Sequence, residues 1–240
     1  MNIINLKEVD STNKYAKENI EKFDDKTIIS ADTQTAGYGR FNRSWVDLGS
    51  ENIYMTFVLK PSDEIRLEYA CLTQYLSVCL CEYLLSFGLL PKIKWPNDVL
   101  INEKKVCGIL AEAVIKGGKL KGIVLGIGIN LNAKSQNLSE IDRPATALNL
   151  ELGHVINKPL FISALIDVFF KDYDAFLKGG FNFIKQKYEE FSILQKSENI
   201  LNVAVFNKVK TGYFKCFDSN GNLILLTDAG EENLNMGELC

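Results

Sequence analysis

The spacing of apolar and polar residues changes character along the chain, from mixed helical and strand periods to short strands alone beyond residue 194. Near the start, Asp10-Ser11-Thr12-Asn13 precedes Lys14-Tyr15-Ala16-Lys17-Glu18. This predicts a helix entered through an N-cap, where a short polar side chain accepts from an orphan amide of the first turn. Thr27-Ile28-Ile29-Ser30-Ala31 predicts a buried strand, and residues 52–59, stopped by Pro61, predict another. Over 65–87, apolar side chains recur three and four apart at Tyr69, Leu72, Leu76, Cys79, Leu80, Tyr83 and Phe87, with Gly88 beyond. That spacing predicts a long amphipathic core helix.

Strands are expected next at 93–95, 99–101 and 106–114, with a polar turn at Asn102-Glu103-Lys104. A hairpin turn at Lys116-Gly117-Gly118-Lys119 leads into a further strand over 120–131. Consecutive strands of this kind predict an α+β protein, a mixed β-sheet with helices packed on one face, rather than regular βαβ alternation. Pro159 opens another helix, with Leu160, Ala164, Leu165, Val168, Phe169 and Phe176 as its apolar stripe, and 181–191 predicts one more. Short strands follow at 201–206, 212–217 and 223–226, the last two joined by the hairpin signal Asp218-Ser219-Asn220-Gly221-Asn222. A unit so small has little core of its own, which suits an SH3-like barrel docked on a larger body. The division expected is a main domain over 1–193 and a small C-terminal domain over 194–240.

Composition narrows the classes. With 240 residues, 47% hydrophobic and 24% charged, the chain is an ordinary globular one, and a net charge of −3 gives no reason to expect nucleic acid as the main partner. No stretch approaches the ~20 apolar residues that span a bilayer. The start, Met1-Asn2-Ile3-Ile4-Asn5, lacks a signal peptide's basic and apolar regions, so a cytoplasmic address is expected. The six cysteines form no C-x-x-C pair, and most lie in apolar periodic segments as small hydrophobes. A single histidine, His154, argues against a zinc site of the usual spacing and against histidine-assisted nucleophilic catalysis. Chemistry is left to Lys, Arg, carboxylates and backbone amides.

Those groups gather at turns. Residues 35–45 read Thr-Ala-Gly-Tyr-Gly-Arg-Phe-Asn-Arg-Ser-Trp, with Gly37 and Gly39 beside Arg40 and Arg43. Glycines let backbone amides approach a ligand, and the guanidinium forks suit carboxylate or phosphate. Alone, such a run is equally a plain surface turn. A second set, Lys94-Trp95-Pro96-Asn97-Asp98 followed by Lys105-Val106-Cys107-Gly108-Ile109-Leu110, places further binding groups between apolar runs.

In this order, residues 10–13, 34–45, 94–98, 105–110 and Gly126-Ile127-Gly128-Ile129-Asn130 resemble the biotin protein ligases. So do Gly221-Asn222-Leu223-Ile224-Leu225-Leu226 and Met236-Gly237-Glu238 near the C-terminus. The resemblance implies a catalytic sheet of the class II aminoacyl-tRNA synthetase kind and a two-step reaction. Biotin's carboxylate attacks the α-phosphate of ATP, giving biotinyl-adenylate and pyrophosphate, and a carrier lysine then takes the biotinyl group. Two anions must meet, so the site needs positioned cations.

On this resemblance, Lys105 is the central cation, where a sequence reading alone would leave it a solvated turn lysine. Arg40 and Arg43 are implied to bind the phosphates and close over a water-labile adenylate. Asp98 is either a turn residue or a contact for the substrate lysine or for magnesium. Ser11, Thr12, Asn13 and Gln34 are implied to hydrogen-bond biotin's ureido ring, although capping alone would explain Ser11 or Thr12. Gly37, Tyr38 and Gly39 would offer amides to the carboxylate, and Gly108 close passage beside the rings. Trp45, Asn97 and Asn130 are implied neighbours of the nucleotide, while Trp95 is expected to be half packed. Tyr38 and Phe41 stand where the family commonly has basic residues.

ATP and Mg2+ are the implied cofactors, and the biotin domain of a carboxylase carrier the implied partner. Members that repress transcription carry an N-terminal helix-turn-helix. Only ten residues precede Ser11 here, so DNA binding by that route is not expected. The family includes monomers and dimers formed by sheet extension. A lipoate–protein ligase and a catalytically idle biotin sensor or scaffold are the rival readings.

Overall fold

The computed structural model describes residues 2–61, 70–195 and 199–240. Its larger sheet is ordered β1-β2-β3-β7-β6-β5-β4, from β1 (Ile3–Val9), β2 (Thr27–Gln34), β3 (Ile53–Leu59), β4 (Lys92–Lys94), β5 (Asp98–Ile101), β6 (Lys104–Lys116) and β7 (Lys119–Ile129). Of its described strand pairs only β1 with β2 is parallel, so the sheet is mixed. β1 went unread in the sequence because Asn5, Lys7 and Glu8 interrupt it and it lies at an edge, largely exposed.

Alternation along β3 sends Ile53, Met55, Phe57 and Leu59 into the main core, while Val58 faces the other way with Ala16, Ile20, Ile29 and Val124. The main core lies under α2 (Ala70–Leu85), α5 (Lys158–Lys171), α6 (Tyr173–Gly179) and α7 (Phe181–Phe191). Helices thus cover one face as expected. The short α1 (Thr12–Glu18) is the exception and lies on the opposite face, against β2, β3 and β7.

Two helices differ from their sequence patterns. The part of the 65–87 prediction that precedes Ala70, with Tyr69, falls outside the described residues. From Cys71 to Cys81 every side chain of α2 is buried, so this segment is enveloped rather than amphipathic. The C-terminal turn covers its remaining side, with Cys71 Sγ donating to Asn220 O and Gln74 Nε2 to Gly221 O at 2.8 Å. In α5 the buried stripe is Phe161, Leu165, Ile166 and Phe169, and Leu160 is exposed. Asn157, not Pro159, sets that register, accepting from Leu160 N at 3.1 Å as N-cap. Phe176 lies beyond the break at Asp172, in α6, but still stacks on Tyr75 at 4.2 Å.

The connection from β7 to α5 carries α3 (Ser135–Leu138) and α4 (Leu148–Leu152). The second sheet is antiparallel and ordered β11-β10-β9-β8-β12, from β8 (Ile200–Val205), β9 (Lys208–Phe217), β10 (Leu223–Thr227), β11 (Gly230–Leu234) and β12 (Glu238–Leu239). Its Phe217, Leu223 and Leu225 join the main core. Cys71, Cys79, Cys81 and Cys107 are buried, and burial pushes the Cys79 thiol up to about 12. Such thiols pack as small hydrophobes and are inert.

Candidate functional site

The α1 face of the large sheet is left open beyond the helix, and a cavity of about 190 Å³ lies there. Its floor is backbone. Gly126 and Gly128 of β7 lie on one face two residues apart, with Gly108 of β6 opposite Gly128 and Leu110 opposite Gly126. A Cβ on Gly126 would come within 2.3 Å of Asn13 Oδ1, and one on Gly128 within 2.5 Å of the Trp45 ring. Asn130 continues the same face, buried, its Nδ2 donating to Thr146 O at 3.0 Å. Asn13, Trp45 and Asn130 therefore follow one another along roughly 13 Å of strand.

At the Asn13 end the groups form a polar network. Ser11 caps α1, accepting from Lys14 N at 3.4 Å, so its capping role is real, and it lines the cavity as well. Gln34 Oε1 accepts from Thr12 N at 2.8 Å. Thr56 Oγ1 lies 2.9 Å from Thr12 Oγ1 and 2.7 Å from Asn13 Oδ1. Glu112 of β6 takes Asn13 Nδ2 at 3.0 Å and the Tyr38 hydroxyl at 2.8 Å. Burial foremost pushes the Tyr38 hydroxyl above its ordinary value.

In the middle, Asp98 and Lys105 lie on adjacent strands, Lys105 Nζ 2.7 Å from Asp98 Oδ1. Asp98 opens β5 and pairs across to Gly108, which places its carboxylate on the cavity face rather than in a turn. Lys105 Nζ is also 5.3 Å from the centre of the Trp45 ring, a cation–π distance. Lys104, its neighbour, is exposed.

The Gly/Arg loop folds as a tight hairpin: Trp45 N donates to Gly37 O at 2.9 Å and Gly39 N to Arg43 O at 2.8 Å. Gly39's amide is thus engaged within the loop in this arrangement. Gly37 is buried, and a Cβ there would meet Gln34 Nε2 at 2.8 Å, so it packs behind the cavity instead of lining it. Phe41 takes a left-handed φ of 57° and stands exposed between Arg40 and Arg43. Arg40 donates to Gly237 O at 2.8 Å, and burial lowers its guanidinium from its ordinary value. Arg43 and Arg143 both pair with Glu238 of β12.

The cavity thus brings together every residue singled out from sequence except Gly37. Two more, besides Ser11, carry structural duties. Asn97 Nδ2 donates to Ile109 O at 2.6 Å, fastening β5 to β6. Trp95 is 2% exposed, fully buried rather than half packed, its Nε1 donating to Gly221 O at 3.2 Å. Sequence reading missed Thr56, Glu112, Arg143 and Glu238. A lone carboxylate inside the apolar run 109–115 was the signal for Glu112, and Glu238 lay within the quoted motif 236–238.

A cavity lined by Lys105, Arg40 and Arg43 on the mixed sheet of an α+β fold defines a candidate site for an anionic ligand, and the sequence comparison agrees. The chain belongs to the biotin/lipoate A/B protein ligase family, whose model matches residues 6–130. It is 30% identical to the biotin--[acetyl-CoA-carboxylase] ligase of Paracoccus denitrificans, over 98% of each chain. It is 31% identical to the bifunctional ligase/repressor BirA of Bacillus spizizenii, covering 85% of this chain and 62% of that longer one. The solved biotin protein ligase of Aquifex aeolicus in complex with biotin and ATP superposes with a TM-score of 0.84 at 28% identity, covering 100% of this chain and 97% of that one.

Proposed function

We propose that this chain is an ATP-dependent ligase that joins biotin to a lysine of a biotin carboxyl carrier protein through biotinyl-5'-AMP. The observation that carries the reading is the order of groups along β7: the hydrogen-bonding network over Gly126, the Lys105–Asp98 pair beside Gly128, and Asn130 beyond. A linear acid laid along that floor puts its ring at Asn13 and its carboxylate at Lys105. The nucleotide then lies toward Asn130, beside Trp45 and under the two loop arginines. The domains in this reading are a catalytic unit over 1–193 and a C-terminal unit over 194–240, the latter supplying Glu238 to the cavity rim and the Gly237 carbonyl to Arg40.

In the first step a biotin carboxylate oxygen attacks the α-phosphorus of ATP, and the bond to the bridging oxygen breaks as pyrophosphate leaves. Lys105 lowers the repulsion between the two anions, and Arg40 and Arg43 hold the phosphates. In the second, the carrier's lysine nitrogen attacks the acyl carbon, AMP leaves, and the nitrogen gives up a proton for which Asp98 is the carboxylate in place. Magnesium would accompany ATP. The donor set suits it, since such an ion takes one or two carboxylates and completes its shell with phosphates and water. Asp98 is the carboxylate this chain would offer, Glu238 being held by two arginines.

Exchange of labelled pyrophosphate into ATP tests the reading, run with biotin and then with lipoate, because the matched family embraces both acids. Biotin-dependent exchange is expected. Exchange with lipoate alone would reassign the acid, and none with either would leave a binding protein without catalysis.

A further inference from the structure

Glu112 sits on the cavity face of β6, two residues past Leu110, in a stretch otherwise apolar. Its Oε2 accepts from Asn13 Nδ2 at 3.0 Å and from the Tyr38 hydroxyl at 2.8 Å, and its Oε1 accepts from Lys17 Nζ at 2.7 Å. Asn13 Nδ2 also reaches Leu110 O at 3.3 Å. Both partners of that nitrogen are acceptors only, so the amide can stand just one way round, with Oδ1 turned from β6. On the other side, Thr56 Oγ1 lies 2.7 Å from Asn13 Oδ1 and 2.9 Å from Thr12 Oγ1, with a single hydrogen for the two. Asn13 Oδ1 therefore keeps lone-pair capacity at the cavity, directly above Gly126.

We propose that Glu112 is a positioning residue: it fixes Asn13 with Oδ1 facing the ligand as acceptor for a ring N–H of the acid, and through Tyr38 it ties the Gly/Arg loop to α1. This rests on the biotin reading above, the urea ring being the part of biotin that carries N–H groups. Glu112 touches no ligand itself. Without it, only the longer contact to Leu110 O at 3.3 Å opposes a turn of the Asn13 NH2 toward an N–H donor, which replaces an attraction with a repulsion.

The test is calorimetric titration of biotin, of desthiobiotin (which keeps the urea), and separately of ATP, into wild type, Glu112→Ala and Glu112→Gln. Glutamine retains an acceptor oxygen. The alanine variant should bind both ureido ligands about tenfold or more weakly and ATP unchanged, with glutamine restoring affinity to within about threefold of wild type. Glu112→Met, which fills the volume without an acceptor, reads the same way should alanine not fold. Equal biotin affinity in wild type and Glu112→Ala, an equal loss for ATP, or a glutamine variant as weak as alanine would overturn the proposal alone. A wild type that binds ATP and not biotin would overturn the ligase reading and this inference together.

Discussion

Lys105 and Asp98 face each other at 2.7 Å across neighbouring strands, both part-buried at the cavity wall. Each neutralises the other, so neither charge stands alone in a low-dielectric site. On the proposed function, bound phosphate draws Lys105 away and leaves Asp98 available for the incoming ammonium. Lys105→Met should therefore lose pyrophosphate exchange by about a hundredfold or more. Asp98→Asn should cut transfer to the carrier by more than it cuts exchange, read by separate assays of the two half-reactions.

Arg40 is anchored by its bond to Gly237 O, which joins the loop to the C-terminal sheet. Arg40→Gly removes that anchor and, on the proposed function, a phosphate donor with it. Biotinyl-adenylate should escape about tenfold faster or more, the scale of one charge-assisted hydrogen bond, and modify lysines indiscriminately. A streptavidin blot of a mixed lysate that still shows only the native carrier would refute this.

Glu238 carries a pH signature. Burial works to raise its carboxyl, but hydrogen bonds from Arg143 and Arg43 outweigh it and hold the group below the ordinary 4.5. A lowered folded value means that its stabilisation is complete above pH 4.5 and is lost as pH falls through the lowered value. The arginines are about half exposed, so the contribution at neutral pH is about 1 kcal/mol or less. Thermal unfolding of wild type and Glu238→Gln should differ at pH 7, with the gap closing in acid.

Gly221 tests the join between the sheets. Its carbonyl accepts from Gln74 and Trp95, its φ is 75°, and a Cβ would come within 2.2 Å of Gln74 Oε1. Gly221→Ala should destabilise the protein by about 1–3 kcal/mol, measured by urea unfolding.

What could be read in advance was what depends on neighbours in sequence. The hairpin turns, the 181–191 helix and the capped start of α1 follow from local chemistry, and each stands where expected. The Gly/Arg loop and Lys105 were legible as motifs. Contacts made by distant segments were not. Glu238 meets Arg43 across 195 positions and Glu112 meets Asn13 across 99, and no period in the chain reports such meetings. Trp95 illustrates the same point: its strand predicts one buried face, and only the Gly221 turn closes over the rest.

The cavity floor of Gly108, Gly126 and Gly128 consists of main chain alone. A surface with no side chains has nothing to exchange: every substitution there adds atoms and shallows the trough. Acceptance of a bulkier or differently shaped ligand can therefore be engineered only from the walls, at Leu110 or Trp45. The depth of the trough stays fixed while its outline varies.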